Sequence, residues 1–422
     1  MKFTSKVNID KEYLQSLRLT MAHLRNRYFK DLVLKIIGFS PLTGVLGHRQ
    51  VGKTTVLEMI AHKYFSLDDR ETLMSIKSDA EGFLAKNNLL RTALDESQLE
   101  PALFPALKEC VRKNKKPGQY ILSGSVRFTS RKSIRESLTG RIINLEVLPF
   151  SISELHKREL PTITRKLNLT KLLSSMKPQI QQEIQSKKIL KKEISVYLKK
   201  GGLPGICFIR DSGLLNSKIR EQLFTLLDRD IRLIYPTTVP YSQILELVKF
   251  LSIHEGEIIS YSEAQRATDI SLPTIKKLLA ALESIFLIRL IPTKNGEKGF
   301  LAIFEDQAEA LHLYPEKALK TQLEGLVYRN IRLEFYYQLE STFSFFHYST
   351  RGGARVPFAV EFEGAILGFI IMDSTTPSKS EFSSANSFLK TFNNSKIVFL
   401  EENADFKIHS ERILQLPLHT LF

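Results

Sequence analysis

Eight consecutive residues, Gly47-His48-Arg49-Gln50-Val51-Gly52-Lys53-Thr54, have types and spacing suited to holding phosphate. They fit G-x-x-x-x-G-K-[ST], in which each fixed type has a task. The glycines let backbone N–H groups turn inward around phosphate oxygens, at the start of a helix whose dipole favours negative charge. The Lys53 ammonium would sit on the β and γ phosphates, and the Thr54 hydroxyl would ligate Mg²⁺. His48, Arg49, Gln50, Val51 and Thr55 complete the expected nucleotide-contacting set.

Hydrolysis needs a carboxylate pair in addition. The stretch Leu89 to Glu96 reads as a strand ending in Asp95, which would hold the Mg²⁺ shell, and Glu96, which would polarise the attacking water. Because Arg91-Thr92 interrupts what should be an apolar central strand, the stretch also reads as an ordinary acidic loop. Ser123 and Ser125 end another strand, where a hydroxyl could touch the γ-phosphate or the lytic water; beside Gly124 both also suit a plain turn. Arg141 is a candidate for stabilising transition-state charge, including in a neighbouring subunit, and Arg127 and Arg131 compete with it.

The elements that must position these groups are legible around them. The first 150 residues alternate short apolar runs with helical stretches, the grammar of a parallel α/β sheet with crossover helices. Pro41 to Leu46 is a strand opening into the glycine loop, and Val51 to Tyr64 a helix with Val56, Leu57, Ile60 and Ala61 on one face. Further strands are expected at Tyr64–Leu67, Tyr120–Leu122 and Ile142–Leu148. Residues 151–235 read as a helical, basic lid or linker, broken at Gly201-Gly202-Leu203-Pro204-Gly205. Residues 236–299 read as a winged-helix-like module, with Ser262-Glu263 opening one helix and Ser271 capping the next. Residues 300–422 mix a helix, Leu319 to Gln338, with strands at Phe343–Tyr348, Val356–Phe362, Ala365–Met372 and Ser395–Leu400.

Composition narrows the class. At 422 residues with 43% hydrophobic content, the chain is long enough for two or three domains. No apolar run approaches a membrane span and no secretory pattern is read in Met1 to Tyr13. The two cysteines, Cys110 and Cys207, make no disulfide framework, which fits the cytoplasm. The net charge of +15 is uneven: Lys157 to Lys200 holds 12 basic residues against 3 acids. That segment could track nucleic-acid phosphates, or be the solvated face of a helical connector, since it is low in aromatics. The second helix of the winged-helix-like module exposes Thr274, Lys276 and Lys277, which could meet DNA phosphates but specify little.

Taken in order, these stretches resemble the AAA-type ATPases of bacteria and archaea that carry a fused C-terminal domain of unknown function. The resemblance runs through Gly47 to Thr55, Tyr64 to Asp69, Glu81-Gly82-Phe83-Leu84, Asp95-Glu96-Ser97-Gln98 and Leu122 to Ser125. It continues through Leu138-Thr139-Gly140-Arg141, Gly201 to Pro204 and Asp228-Arg229-Asp230-Ile231. It implies ATP and Mg²⁺ as cofactors, Asp95 and Glu96 as the Walker B pair, and Arg141 as a family arginine. It supplies no substrate. Relatives with a restriction-nuclease core show Glu-Val-Asp-Phe and Glu-Val-Lys strands where this chain has Arg355-Val356-Pro357-Phe358 and Ile371-Met372-Asp373. The last domain is therefore expected to be a degenerate, non-cleaving nuclease-like fold. The expectation is an ATPase coupling nucleotide state to its C-terminal region, with DNA and a second copy as candidate partners. The alternatives are a nucleotide-gated binding protein with little turnover and a DNA-bound regulator.

Overall fold

The computed structural model describes residues 25–128, 138–186, 191–294, 299–338 and 342–422. Arg131 and the Met1–Tyr13 segment lie outside them. The N-terminal sheet has five strands: β1 (Leu42–Gly47), β2 (Lys63–Ser66), β3 (Thr92–Asp95), β4 (Tyr120–Gly124) and β5 (Ile142–Val147). All pair in parallel, in the order β2-β3-β4-β1-β5. Parallel strands need both faces covered, and β1 shows how the sequence meets that need. Leu42 and Leu46 enter one apolar cluster with Leu94, Phe104, Tyr120 and Leu122, while Val45 enters another with Val56, Leu57 and Ile121.

The second cluster does not stop at the sheet. It continues through Leu203, Leu223 and Leu227 into Leu247, Leu278 and Leu282. Beyond Leu203, these residues belong to helices Ser212–Phe224, Tyr241–Ile253 and Leu272–Ser284 and to a π-helical turn, Thr225–Asp230, that follows the first.

The helices of the expected winged-helix-like module form as Tyr261–Thr268 and Leu272–Ser284. The first begins one residue earlier than expected, because Ser260 rather than Ser262 makes a reciprocal cap with Glu263. Asp269, in the left-handed region, ends it. The Ser271 hydroxyl meets the Thr274 hydroxyl at 2.8 Å and caps no backbone N–H. Strand β6 (Ile288–Ile291) pairs antiparallel with β8 (Leu301–Phe304), but β7 (Thr293–Lys294) between them joins the C-terminal sheet alongside His347 and Tyr348.

That C-terminal sheet is mixed and seven-stranded, in the order β13-β14-β12-β11-β10-β9-β7. Its strands are β9 (Phe343–Ser349), β10 (Arg355–Phe362), β11 (Ala365–Ile371), β12 (Ser395–Glu401), β13 (Lys407–Ser410) and β14 (Ile413–Pro417). Helix Lys379–Thr391 covers one face. The other carries the basic segment expected as a lid: Ile163, Leu167, Met176, Ile180 and Ile194 pack with Phe358, Leu367 and Val398. The basic helices thus clothe the C-terminal sheet, while residues from 204–225, within the same expected 151–235 lid or linker, line the cavity at the glycine loop.

Candidate nucleotide site

The carboxylate strand is shorter than its sequence suggests, and the irregularity at Arg91-Thr92 dissolves. Arg91 is a turn residue with φ of 57°, and the strand starts at Thr92, whose hydroxyl bonds the carbonyls of Asn87 and Leu89 at 3.0 and 2.9 Å. From Thr92 to Asp95 every residue is buried, as a central strand requires.

The glycine loop leaves β1 and enters the helix Lys53–Ile60 through Gly52, whose φ of 92° suits glycine. Lys53 is buried, and its Nζ donates to the carbonyls of Gly47 and His48, both at 2.9 Å. Burial lowers its pKa against the pull of Glu96 and Asp95.

Because β4 lies between β1 and β3, its C-terminal hydroxyls fall between the loop and the acids. Three hydroxyls converge on buried Asp95: Thr54 Oγ1 and Tyr64 OH each at 2.7 Å from Oδ2, and Ser123 Oγ on Oδ1. Glu96, at φ of 53°, accepts from Gln98 Nε2 and from Ser125 Oγ at 3.4 Å. Arg49, Gln50, Gly52, Lys53, Thr54, Thr55 and Glu96 share one cavity of about 540 Å³ with Pro204, Gly205, Lys218, Glu221, Gln222 and Thr225. A second cavity of about 420 Å³ adjoins it through Gly52, Thr55 and Pro204, and is walled by Arg27, Val56, Met59, Phe150 and Phe208.

Two loop side chains are paired with acids from other elements. His48 is buried with Nε2 3.1 Å from Glu309 Oε2, and Glu309 also accepts from Gln222 at 2.7 Å. Burial works against protonating His48, but the Glu309 charge prevails and raises its pKa. Arg49 forms a two-pronged pair with fully buried Asp230. The Gly201-Gly202 turn is built around Asp306, which accepts from Gly202 N at 2.7 Å and Leu203 N at 3.2 Å. Burial, reinforced by Glu309, pushes the Asp306 carboxyl up to about 6.

The arginines separate cleanly. Arg127 is committed elsewhere: it donates to Glu146 at 3.0 Å and lies 4.9 Å from the centre of the Phe286 ring. Arg141 precedes Ile142, which sits beside Leu42 at the start of β1. It is therefore a full strand, about 17 Å, from the loop of its own chain, and its Nη1 donates only to the neighbouring Thr139 carbonyl at 3.2 Å. Sequence reasoning missed Tyr64, Gln98, Asp306 and Glu309 as site residues. Asp230 stood in a quoted stretch without a role.

In the C-terminal sheet, Arg355 holds Glu324 through two bonds of 2.8 and 2.7 Å, and Asp373 meets Lys320 at 2.8 Å. Among the described residues no cluster of His, Cys, Asp or Glu is arranged to hold a metal ion. No helix of the described residues is long and apolar enough to cross a membrane.

A glycine loop at the end of a parallel β-strand, with Thr54 bonded to an acid two strands away, defines a P-loop nucleotide-binding fold. More narrowly, residues 40–156 match the family model of an AAA domain, and residues 191–298 match a domain of unknown function. An uncharacterized protein of Methanocaldococcus jannaschii is 26% identical over 215 residues, 48% of this chain. The match spans only 44% of that relative's own length. An uncharacterized protein of Mycobacterium tuberculosis is 22% identical over 358 residues, 81% of this chain and 72% of that one. Among solved structures, a Walker-type ATPase of Pyrococcus abyssi aligns over 69% of this chain and 96% of its own, with a TM-score of 0.39 and 15% identity.

Proposed function

We propose that the chain is a Mg²⁺-dependent ATP hydrolase. The observation that carries this reading is the convergence of Thr54, Tyr64 and Ser123 on Asp95, with Thr54 lining one cavity together with Lys53 and Glu96. A hydroxyl and a carboxylate are the hard oxygen donors that Mg²⁺ takes, so Thr54 and Asp95 fit the ion. When bound, Mg²⁺ would neutralise charge on the β and γ phosphate oxygens. Lys53 would move its donors from the loop carbonyls to those phosphates, and Glu96, released from Gln98 and Ser125, would orient the attacking water. The 420 Å³ pocket would seat the base and ribose against Met59, Phe150 and Phe208. Arg141, far from its own loop, would reach a phosphate only in another copy, which is the form its expected catalytic role must take.

For the domain roles, the boundaries at 150, 235 and 299 serve as working units, with the nucleotide state read out through the 204–225 wall. We do not extend the reading to DNA cleavage: Arg355 and Asp373 are spent on Glu324 and Lys320. DNA contact through Lys276 and Lys277 is the second reading, favoured by their exposure, although β7, within the wing, is built into the larger sheet.

Steady-state hydrolysis with Mg²⁺, with and without DNA, tests these claims. Turnover abolished by both Lys53→Ala and Glu96→Gln supports the hydrolase, and stimulation by DNA supports the DNA contact. Wild-type turnover no faster than that of Glu96→Gln makes the protein a nucleotide-gated switch instead.

A further inference from the structure

We propose that Arg49, inside the phosphate loop itself, is the cation that neutralises transition-state charge, acting in cis, and that Asp230 is its positioning residue. The inference rests on the hydrolase reading and names a group which that reading leaves unassigned.

Four observations converge. First, Arg49 borders the same cavity as Lys53, Thr54 and Glu96, so it needs no second copy to reach a γ-phosphate. Second, its pair with Asp230 uses Nε and Nη2, leaving the Nη1 donors unspent. A planar guanidinium gripped along one edge presents its other edge at a fixed angle, which is what recognition of a phosphoryl group needs. Third, Asp230 is fully buried while the Arg49 side chain keeps a quarter of its surface open. The pair is thus anchored on the acid side and accessible on the cation side. Fourth, Asp230 closes a π-helical turn, Thr225–Asp230, whose first residue also lines the cavity. Such turns are energetically unfavourable and concentrate at functional sites.

The other described cations near the site have different positions or employment. Lys53 is the loop lysine, Arg27 is spent on Glu154 and the carbonyls of Val51 and Leu148, Arg127 is held by Glu146, Arg141 is a strand length away, and Lys218 faces Glu221 at 3.9 Å.

A merely structural pair would also tie the loop to the helices, so stability alone cannot decide. Arg49→Ala would strand the buried Asp230 carboxylate and invite unfolding. The informative variants are therefore Arg49→Lys, Asp230→Asn and the double substitution Arg49→Ala/Asp230→Ala, which removes both charges together. Each is assayed for kcat, KM for ATP, thermal midpoint, and affinity for ADP with aluminium fluoride.

The proposal expects kcat to fall about 10³-fold in the double variant, with KM changed only a few-fold and ADP–aluminium fluoride affinity lost while ADP affinity stays. Asp230→Asn should lower kcat in the same sense by a smaller factor, and wild-type turnover per protomer should not depend on enzyme concentration. Retention of kcat by the double variant and Arg49→Lys overturns the proposal alone. So does turnover that rises steeply with enzyme concentration, because the cation then comes from a neighbour. A wild type that binds ATP without turnover overturns the hydrolase reading and this inference with it.

Discussion

Glu146 is the most heavily burdened acid in the molecule, and replacing it by glutamine isolates one measurable quantity. It lies on β5 and meets Arg127 after β4, Arg289 on β6 and Arg332 on helix Leu319–Tyr336. Glu305, the second acid in the cluster, is shared by Arg289 and Arg332. Burial alone would raise the Glu146 carboxyl; Arg289, Arg332 and Arg127 overcome it and hold the pKa at about 2 against an ordinary 4.5. The sign follows from that depression. The ionised pair stabilises the fold fully above 4.5, and the contribution is lost as pH falls through the window down to about 2. A shift of that size is worth about 3 kcal/mol at pH 7 and about 1 kcal/mol at pH 3. Glu146→Gln keeps the shape and removes the charge, leaving Arg289 and Arg332 on Glu305 and taking from Arg127 the acid it donates to. Urea unfolding of both proteins, followed by circular dichroism at pH 7 and pH 3, should show a large gap in midpoint at neutrality that narrows in acid. Equal midpoints at pH 7, or a gap that widens on acidification, would refute the reasoning.

Three further outcomes follow from the packing. Gly201→Ala should destabilise by about 2 kcal/mol or more, since φ is 65° and a Cβ there would collide with the Asp306 carboxylate; thermal denaturation measures it. Phe358→Ala, in the β10 core against Tyr328 and Phe369, should cost about 3–5 kcal/mol in urea unfolding. Met59→Asp, at the half-exposed wall of the smaller cavity, should weaken ATP binding by about tenfold or more while leaving the thermal midpoint within a few degrees. Equilibrium titration with a fluorescent ATP analogue checks it, and unchanged affinity would remove the base from that pocket.

How much of this was readable beforehand varies with the range of the interaction. The loop from Gly47 to Thr54 is legible because backbone geometry dictates its types locally, and Gly52 takes the left-handed conformation that glycine supplies. Many strands of the two larger sheets are legible from apolar runs: Ala365–Ile371, for example, is buried at every position, whereas β7, β13 and β14 were not expected. The start of β3 was not, because an arginine in a turn and a threonine bonding nearby carbonyls look in sequence like polar breaks within a strand. Where the basic helices dock was not legible for a related reason. Their apolar face, Ile163, Leu167 and Ile180, says that something is covered, but not which sheet. The roles of Glu309 and Asp306 at the site left no local signal, since the residues they meet there, His48 and Gly202, lie more than a hundred positions away.

Those long-range acids bear on what the nucleotide domain is. In His48 and Arg49 the loop has two successive side chains, and each is matched to a carboxylate from outside residues 40–156: Glu309 for one, Asp230 for the other. Both acids are buried, so neither pair is a loose surface contact. Gln222 bonds Glu309 while Glu221 and Thr225 of the same helical run line the phosphate cavity. A displacement of the loop would therefore be felt directly by two segments of the C-terminal part, without an intervening chain of contacts. The apolar cluster tells the same story, running from Val45 and Val56 through Leu223 to Leu278 without a polar break. In physical terms the P-loop domain of this chain is one wall of a larger core, and the glycine loop lies where that core opens onto a cavity.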